Sequence, residues 1–256
     1  MILCFLCFLG VLDALPSTTG IGTLEGVKVD ALVNDFAIRS FRDVADADYV
    51  AARLACRAGL VTQFLWASQQ AVEKYLKCIL LLHRIPAIHV GHDLERALSK
   101  VTSSGKLTLD LTGGTKEFIQ KLDQQGQFRY FELSNFAFGA EIISLDRAAW
   151  ELRRFCTLSE GPRLVRLRDG FPAPRVQIPH GRLEKIIDNA KDPAREPLLW
   201  QNGFFGKRAR RRVRLNNWFQ ANNAPLYLSP QILDEVLKYV FLPKNLQAAY
   251  RAHTKS

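Results

Sequence analysis

Apolar residues recur at helical spacing through the middle of the chain. Val44, Ala45, Tyr49, Ala52, Leu54 and Cys56 predict one face of a first helix that begins near Ser40 and is ended by Gly59. Over Val61–His83 two interleaved series, Phe64, Ala67, Ala71, Tyr75, Cys78, Leu82 and Leu65, Val72, Leu76, Ile79, give a wide apolar face, the mark of a helix buried in a bundle. Pro86 forbids its continuation. A third helix is expected over 93–103, opened by His92-Asp93 and closed by Ser103, Ser104 and Gly105. A fourth is expected over 115–125, and a long one from Phe136 to Cys156. The pattern therefore predicts an all-α, up-and-down helical bundle.

Punctuation divides the chain. Residues 1–39, with Gly20, Gly22 and Gly26, read as an irregular lead-in; 40–160 hold the bundle; 161–256 form a C-terminal extension. Within the extension, Pro162, Pro172, Pro174 and Pro179 predict extended linker or strand over 161–181. A short helix is expected over Leu183–Ala190, a loop-rich stretch over 196–230 and a last helix over Pro230–Phe241. The apolar run Ile2–Leu12 has no preceding Lys or Arg and no clean small-residue cleavage site. It reads as a leader or as a start placed upstream, in preference to a secretion signal, and it is too short to span a bilayer.

Charge changes this picture. The net charge is +10, but residues 1–160 carry 17 basic against 18 acidic residues, and 161–256 carry 18 against 7. The basicity belongs to the extension and points to an anionic partner, nucleic acid first. It concentrates in Lys207, Arg208, Arg210, Arg211, Arg212 and Arg214, flanked by Phe204, Phe205, Trp218 and Phe219. Cations beside aromatics suit a phosphate backbone and unstacked bases. A solvated basic loop or a patch for an acidic partner fits the same residues.

Cysteine adds little. Five cysteines in a chain this long argue against a disulfide framework and fit a reducing compartment, the cytoplasm. Cys4-x-x-Cys7 has no second pair, so no metal site is expected. Cys56 and Cys78 fall on apolar helix faces and read as core.

Candidate chemistry lies on the second helix. Trp66, Gln70, Glu73 and Lys77 are offset so that they share a stripe roughly 60° wide. It offers a stacking surface, an amide, a carboxylate and an ammonium, a set that suits a nucleotide. The same residues also suit an ordinary i,i+4 ion pair beside a core tryptophan. His92 reaches the same cleft in the functional reading, while Asp93 is explained by capping alone.

The stretch Phe64-Leu-Trp-Ala-Ser-Gln-Gln-Ala-Val-Glu-Lys-Tyr-Leu-Lys77, followed by Gly91-His-Asp-Leu94 and by Arg129-Tyr130, resembles the HEPN family, the higher-eukaryote and prokaryote nucleotide-binding domain, over about residues 45–157. The resemblance implies a helical bundle, often dimeric, that binds a nucleotide or RNA without a cofactor. Its context is a toxin or defence system, or a partnership with a small nucleotidyltransferase. It adds Arg129 to Trp66, Gln70, Glu73, Lys77 and His92 as expected nucleotide contacts. Active nucleases of the family use an Arg-x(4–6)-His pair. Arg84…His89 and Arg175…His180 match by counting, but each contains a proline and lies outside the expected helical context. No catalytic residue is therefore assigned, and a non-catalytic binding module is expected. A metal-independent RNA endonuclease and a ligand-free interaction subunit are the alternatives.

Overall fold

A computed structural model describes residues 29–125, 136–157, 166–168, 171–173, 182–206, 219–221, 232–238 and 244–253. Helix α1 (Val29–Ala37) runs through one wide π turn, Ile38–Arg42, into α2 (Asp43–Arg57). Then come α3 (Val61–Leu82), α4 (Leu94–Ser103), α5 (Gly113–Gln125), α6 (Glu141–Arg153), α7 (Arg182–Asp188) and α8 (Arg195–Leu199). Two short helices follow, Leu233–Val236 and Lys244–His253. The fold is an α-helical bundle with α3 at its centre, packed against α2, α4, α5 and α6.

The α3 pattern explains that position. Phe64, Leu65, Ala71, Val72, Tyr75, Leu76, Cys78 and Ile79 are all buried, and both predicted apolar series lie in one continuous core. Burial pushes the Cys56 thiol up to about 12, and the Cys156 thiol is also raised by burial. These thiols act as small apolar residues, as does Cys78. Helix ends follow local chemistry. Gly59, at φ 71°, closes α2, with the Leu60 N–H donating to the Ala55 carbonyl at 2.8 Å. Asp93 opens α4 by accepting from the Arg96 N–H at 2.6 Å. Thr112 and Glu151 satisfy the start of α5: Glu151 accepts from the Thr112 N–H and hydroxyl, each at 3.0 Å.

Four expectations are corrected. Residues Val29–Ala37 are helical, not irregular, because Ala31, Asn34, Asp35 and Ala37 pack inward and Asn34 accepts from the Arg84 guanidinium at 2.9 Å. Val44 and Leu54 leave the predicted core face and are exposed; Asp46 and Arg53 take their place in the core. The long last helix does not begin at Phe136. Phe136–Phe138 is a strand, β1, paired antiparallel with Phe219–Ala221, and Glu141 begins α6. Within the expected loop over 196–230, Arg195–Leu199 forms a helical turn. Within the proline-containing segment, Arg166–Arg168 pairs antiparallel with Phe171–Ala173; the rest of 161–181 lies outside the described residues.

Residues 182–206 share the bundle core through Leu183, Ile186, Leu198 and Phe205. Buried charges fasten them. Arg53 on α2 pairs with Asp146 on α6, and its Nε and Nη2 donate to the carbonyls of Pro197 and Trp200. Tyr49 donates to Asp146 at 2.6 Å and accepts from Asn202 at 2.9 Å. In a parallel arrangement Arg153 bridges Asp46 (2.8 Å) and Glu184 (2.6 Å), and Asp46 also accepts from Tyr75 at 2.8 Å.

Candidate functional site

Helix α3 and the start of α4 bring four of the expected contacts together. Glu73 sits between them, 6% exposed. Its Oε1 accepts from Lys77 at 2.6 Å, one turn along the helix. Its Oε2 meets His92 Nδ1 at 2.9 Å and accepts from Gln70 Nε2 at 3.4 Å. The positions follow from local structure: Gln70, Glu73 and Lys77 stand three and four residues apart, on one helix face. Asp93 fixes the start of α4 and so the place of His92. The backbone is tied too, since Gln69 Nε2 donates to the His92 carbonyl at 3.4 Å.

The electrostatic consequence is clear. A carboxylate withdrawn from water is held by an ammonium on one oxygen and an imidazole on the other. The imidazole is 73% exposed. With Nδ1 engaged by Glu73, Nε2 is the ring edge presented to solvent, and Lys77, 20% exposed, is held by the other oxygen of the same carboxylate. Glu73 is thus a positioning group for two donors that suit a phosphate. Trp66 is half-buried on the same helix, one turn before Gln70.

Two members were not legible in the sequence. Lys74 donates to Gln70 Oε1 at 3.1 Å and pairs with Asp48 of α2 at 2.6 Å, which orients the Gln70 amide. The only available signal was the i,i+4 spacing of Gln70 and Lys74; Asp48 is a contact between helices.

Arg129 and the run Lys207, Arg208, Arg210, Arg211, Arg212, Arg214 lie outside the described residues, as do Arg175 and His180. Of the pair matched by counting, Arg84 closes α3 at φ 54° with its guanidinium on Asn34 and the Leu81 and Leu82 carbonyls. His89 is exposed on the loop that follows. Among the described residues no group of three metal-ligating side chains is placed to hold an ion, and no helix is long and apolar enough to cross a membrane.

A bundle with this polar cluster at the α3–α4 junction is matched by a known domain over residues 38–141. The matching domain is HEPN. Its matched segment spans α2 to α5 and ends at the first residue of α6, Glu141, and it includes Gln70, Glu73, Lys77 and His92. No curated protein and no solved structure matches the chain. The HEPN family is associated with nucleotide or RNA binding and with RNase toxins.

Proposed function

We propose that the HEPN bundle binds a nucleotide or single-stranded RNA at the α3–α4 junction, without cleaving it. The context is a toxin or defence system, or partnership with a nucleotidyltransferase. The observation that carries this reading is the exposed His92 ring seated on buried Glu73, which also holds Lys77. Lys77 and His92 Nε2 bind phosphate; the Gln70 amide meets a base edge; Trp66 lends a flat surface. Arg129 belongs to the same site by family resemblance. The basic run 207–214 adds phosphate contacts without base specificity.

The test is incubation of the full chain with labelled single-stranded RNA in EDTA. Intact RNA should be retarded, and the double change Lys77→Ala, His92→Ala should weaken binding about tenfold, the loss expected for one or two charge-assisted hydrogen bonds. Binding unchanged in that variant would sink the site. Replacing the six basic residues of 207–214 by Gln should lower the salt slope of log K by up to about four, since each phosphate neutralised in a single strand contributes about 0.7. An unchanged slope would remove the run from the interface.

One observation favours a second reading. His92 with Glu73 behind it is a base held by a carboxylate, the arrangement of an activated general base. His92 Nε2 would take the proton of a ribose 2′-hydroxyl while Lys77 met the developing phosphorane charge. RNA cleaved by wild type in EDTA, and not by His92→Ala, would replace the binding module by an endonuclease.

A further inference from the structure

Helix α6 turns an aromatic ring outward between two cations. Its core face is Ile142, Leu145, Ala149 and Leu152. On the opposite side Arg147, Trp150 and Arg154 stand three and four residues apart and form one row. Trp150 is 43% exposed and the Arg154 side chain 45%. The indole is held from behind. Its centroid lies 5.5 Å from that of buried Phe205, the rings at 76°, and Phe205 lies 5.4 Å from Tyr49. The cations are held too. A Cβ on Gly114 would stand 2.8 Å from Arg147 Nη1, so Gly114 leaves the room that this guanidinium fills. Arg154 donates to the Asp110 carbonyl at 2.5 Å and lies 4.8 Å over the Phe155 ring. The Asp110 carboxylate, 3.9 Å from Arg154 and 94% exposed, offsets little of its charge.

The basic run is attached along the same helix. Phe205, packed on Trp150, is followed at once by Gly206, whose φ of 94° suits glycine and sets where Lys207 leaves the bundle. The chain returns as Phe219–Ala221, paired with Phe136–Phe138 just before α6 begins. The cations of 207–214 therefore lie in the chain between two anchors, one beside Trp150 and one at the start of α6.

We propose that the row Arg147, Trp150 and Arg154 is a stacking platform for single-stranded RNA, a second contact surface apart from the α3–α4 junction. One unstacked base lies on the indole, the two arginines take the phosphates on either side of it, and the run 207–214 follows the strand beyond. The inference rests on the reading that the chain binds single-stranded RNA. Packing on Phe205 accounts for one side of the Trp150 ring and leaves the outward side without a structural use. A single strand presents a flat ring between two phosphates, the counterpart of a ring between two cations. A duplex keeps its bases in the stack and would use the cations alone. An acidic protein surface would likewise meet the arginines and leave the indole idle. The platform is also set in advance: with Phe205 and Tyr49 behind it, the indole has little freedom to lose on binding.

The experiment titrates the full chain against two labelled strands of equal length, a single-stranded RNA and an abasic phosphodiester strand. Trp150→Leu should weaken binding of the RNA about tenfold, the loss of one stacked base, and leave the abasic strand unaffected. Trp150→Phe should keep most of the affinity. Arg147→Gln with Arg154→Gln should lower the salt slope of log K by about 1.4, at about 0.7 for each phosphate. Equal losses on both strands with Trp150→Leu would make the ring structural and overturn the proposal. So would a loss from the arginine changes with none from Trp150→Leu, which leaves an electrostatic patch as well suited to an acidic protein. RNA binding that falls with Lys77→Ala, His92→Ala and is indifferent to Trp150→Leu would overturn the platform alone. The reverse result would overturn the α3–α4 site and support the platform. Wild type that retains no RNA would overturn both.

Discussion

Replacing Arg53 with methionine is expected to remove about 3–5 kcal/mol of folding stability. The guanidinium is fully buried and meets the Asp146 carboxylate and the Pro197 and Trp200 carbonyls. Methionine fills much of the volume but supplies none of these bonds, leaving the buried Asp146 carboxylate uncompensated, with Tyr49 still donating to it, and the Pro197 and Trp200 carbonyls without the guanidinium. The loss depends on pH, because Asp146 can escape its position by taking a proton. Urea unfolding should therefore show a larger loss at pH 8 than at pH 5.5. Adding Asp146→Leu should recover part of it, since removing both charges costs less than removing one. A single variant within about 1 kcal/mol of wild type would mean that the pair contributes no more than an exposed ion pair does.

Asp146 also predicts how the wild type responds to acid. One of its oxygens accepts from Arg53 and Tyr49; the other, Oδ2, meets no donor among the described residues. Burial outweighs the attraction of Arg53 and raises the carboxyl from 3.8 to about 6. A raised folded value means that the folded state binds a proton which the unfolded state releases, so between these two values stability grows as pH falls. The gain should reach about 2 kcal/mol by pH 4. Glu184 has the opposite sign. The Arg153 guanidinium, outweighing partial burial, holds it below its ordinary 4.5, so its contribution is complete above that value and is lost as pH falls through its folded pKa. The two windows are distinct. Wild type compared with Asp146→Asn between pH 7 and pH 4.5 isolates the first: the amide cannot titrate, so the variant should lack the gain. Identical pH slopes for the two proteins would contradict the assignment.

The sequence made the bundle legible where one physical rule acted alone. On α3 the apolar period, free of Gly and Pro, determined type and length together, and Asp93 marked the start of α4 by capping. The reading went astray where tertiary contacts override local pattern. Arg53 and Asp46 look like surface residues until Asp146 and Arg153 arrive from about a hundred positions away, and Val44 and Leu54 look like core for the same reason. β1 was hidden because Phe-Ala-Phe becomes a strand only through Phe219–Ala221. For the candidate site, Gln70, Glu73 and Lys77 were visible as helix spacing. His92 joined them through the motif, and Asp48 was invisible because nothing in α2 announces which residue of α3 it will face.

The buried ion pairs also say where this protein must not be cut. The matched segment stops at residue 141, before Asp146 and Arg153 and well before Glu184, Pro197 and Trp200. A fragment trimmed to the family boundary would keep Arg53 and Asp46 in its interior while discarding the residues that neutralise them. It would also expose the surface of α3 against which α6 packs. Expression boundaries drawn by homology alone would yield an aggregating piece, whereas a fragment running through Gly206 keeps every one of these partners.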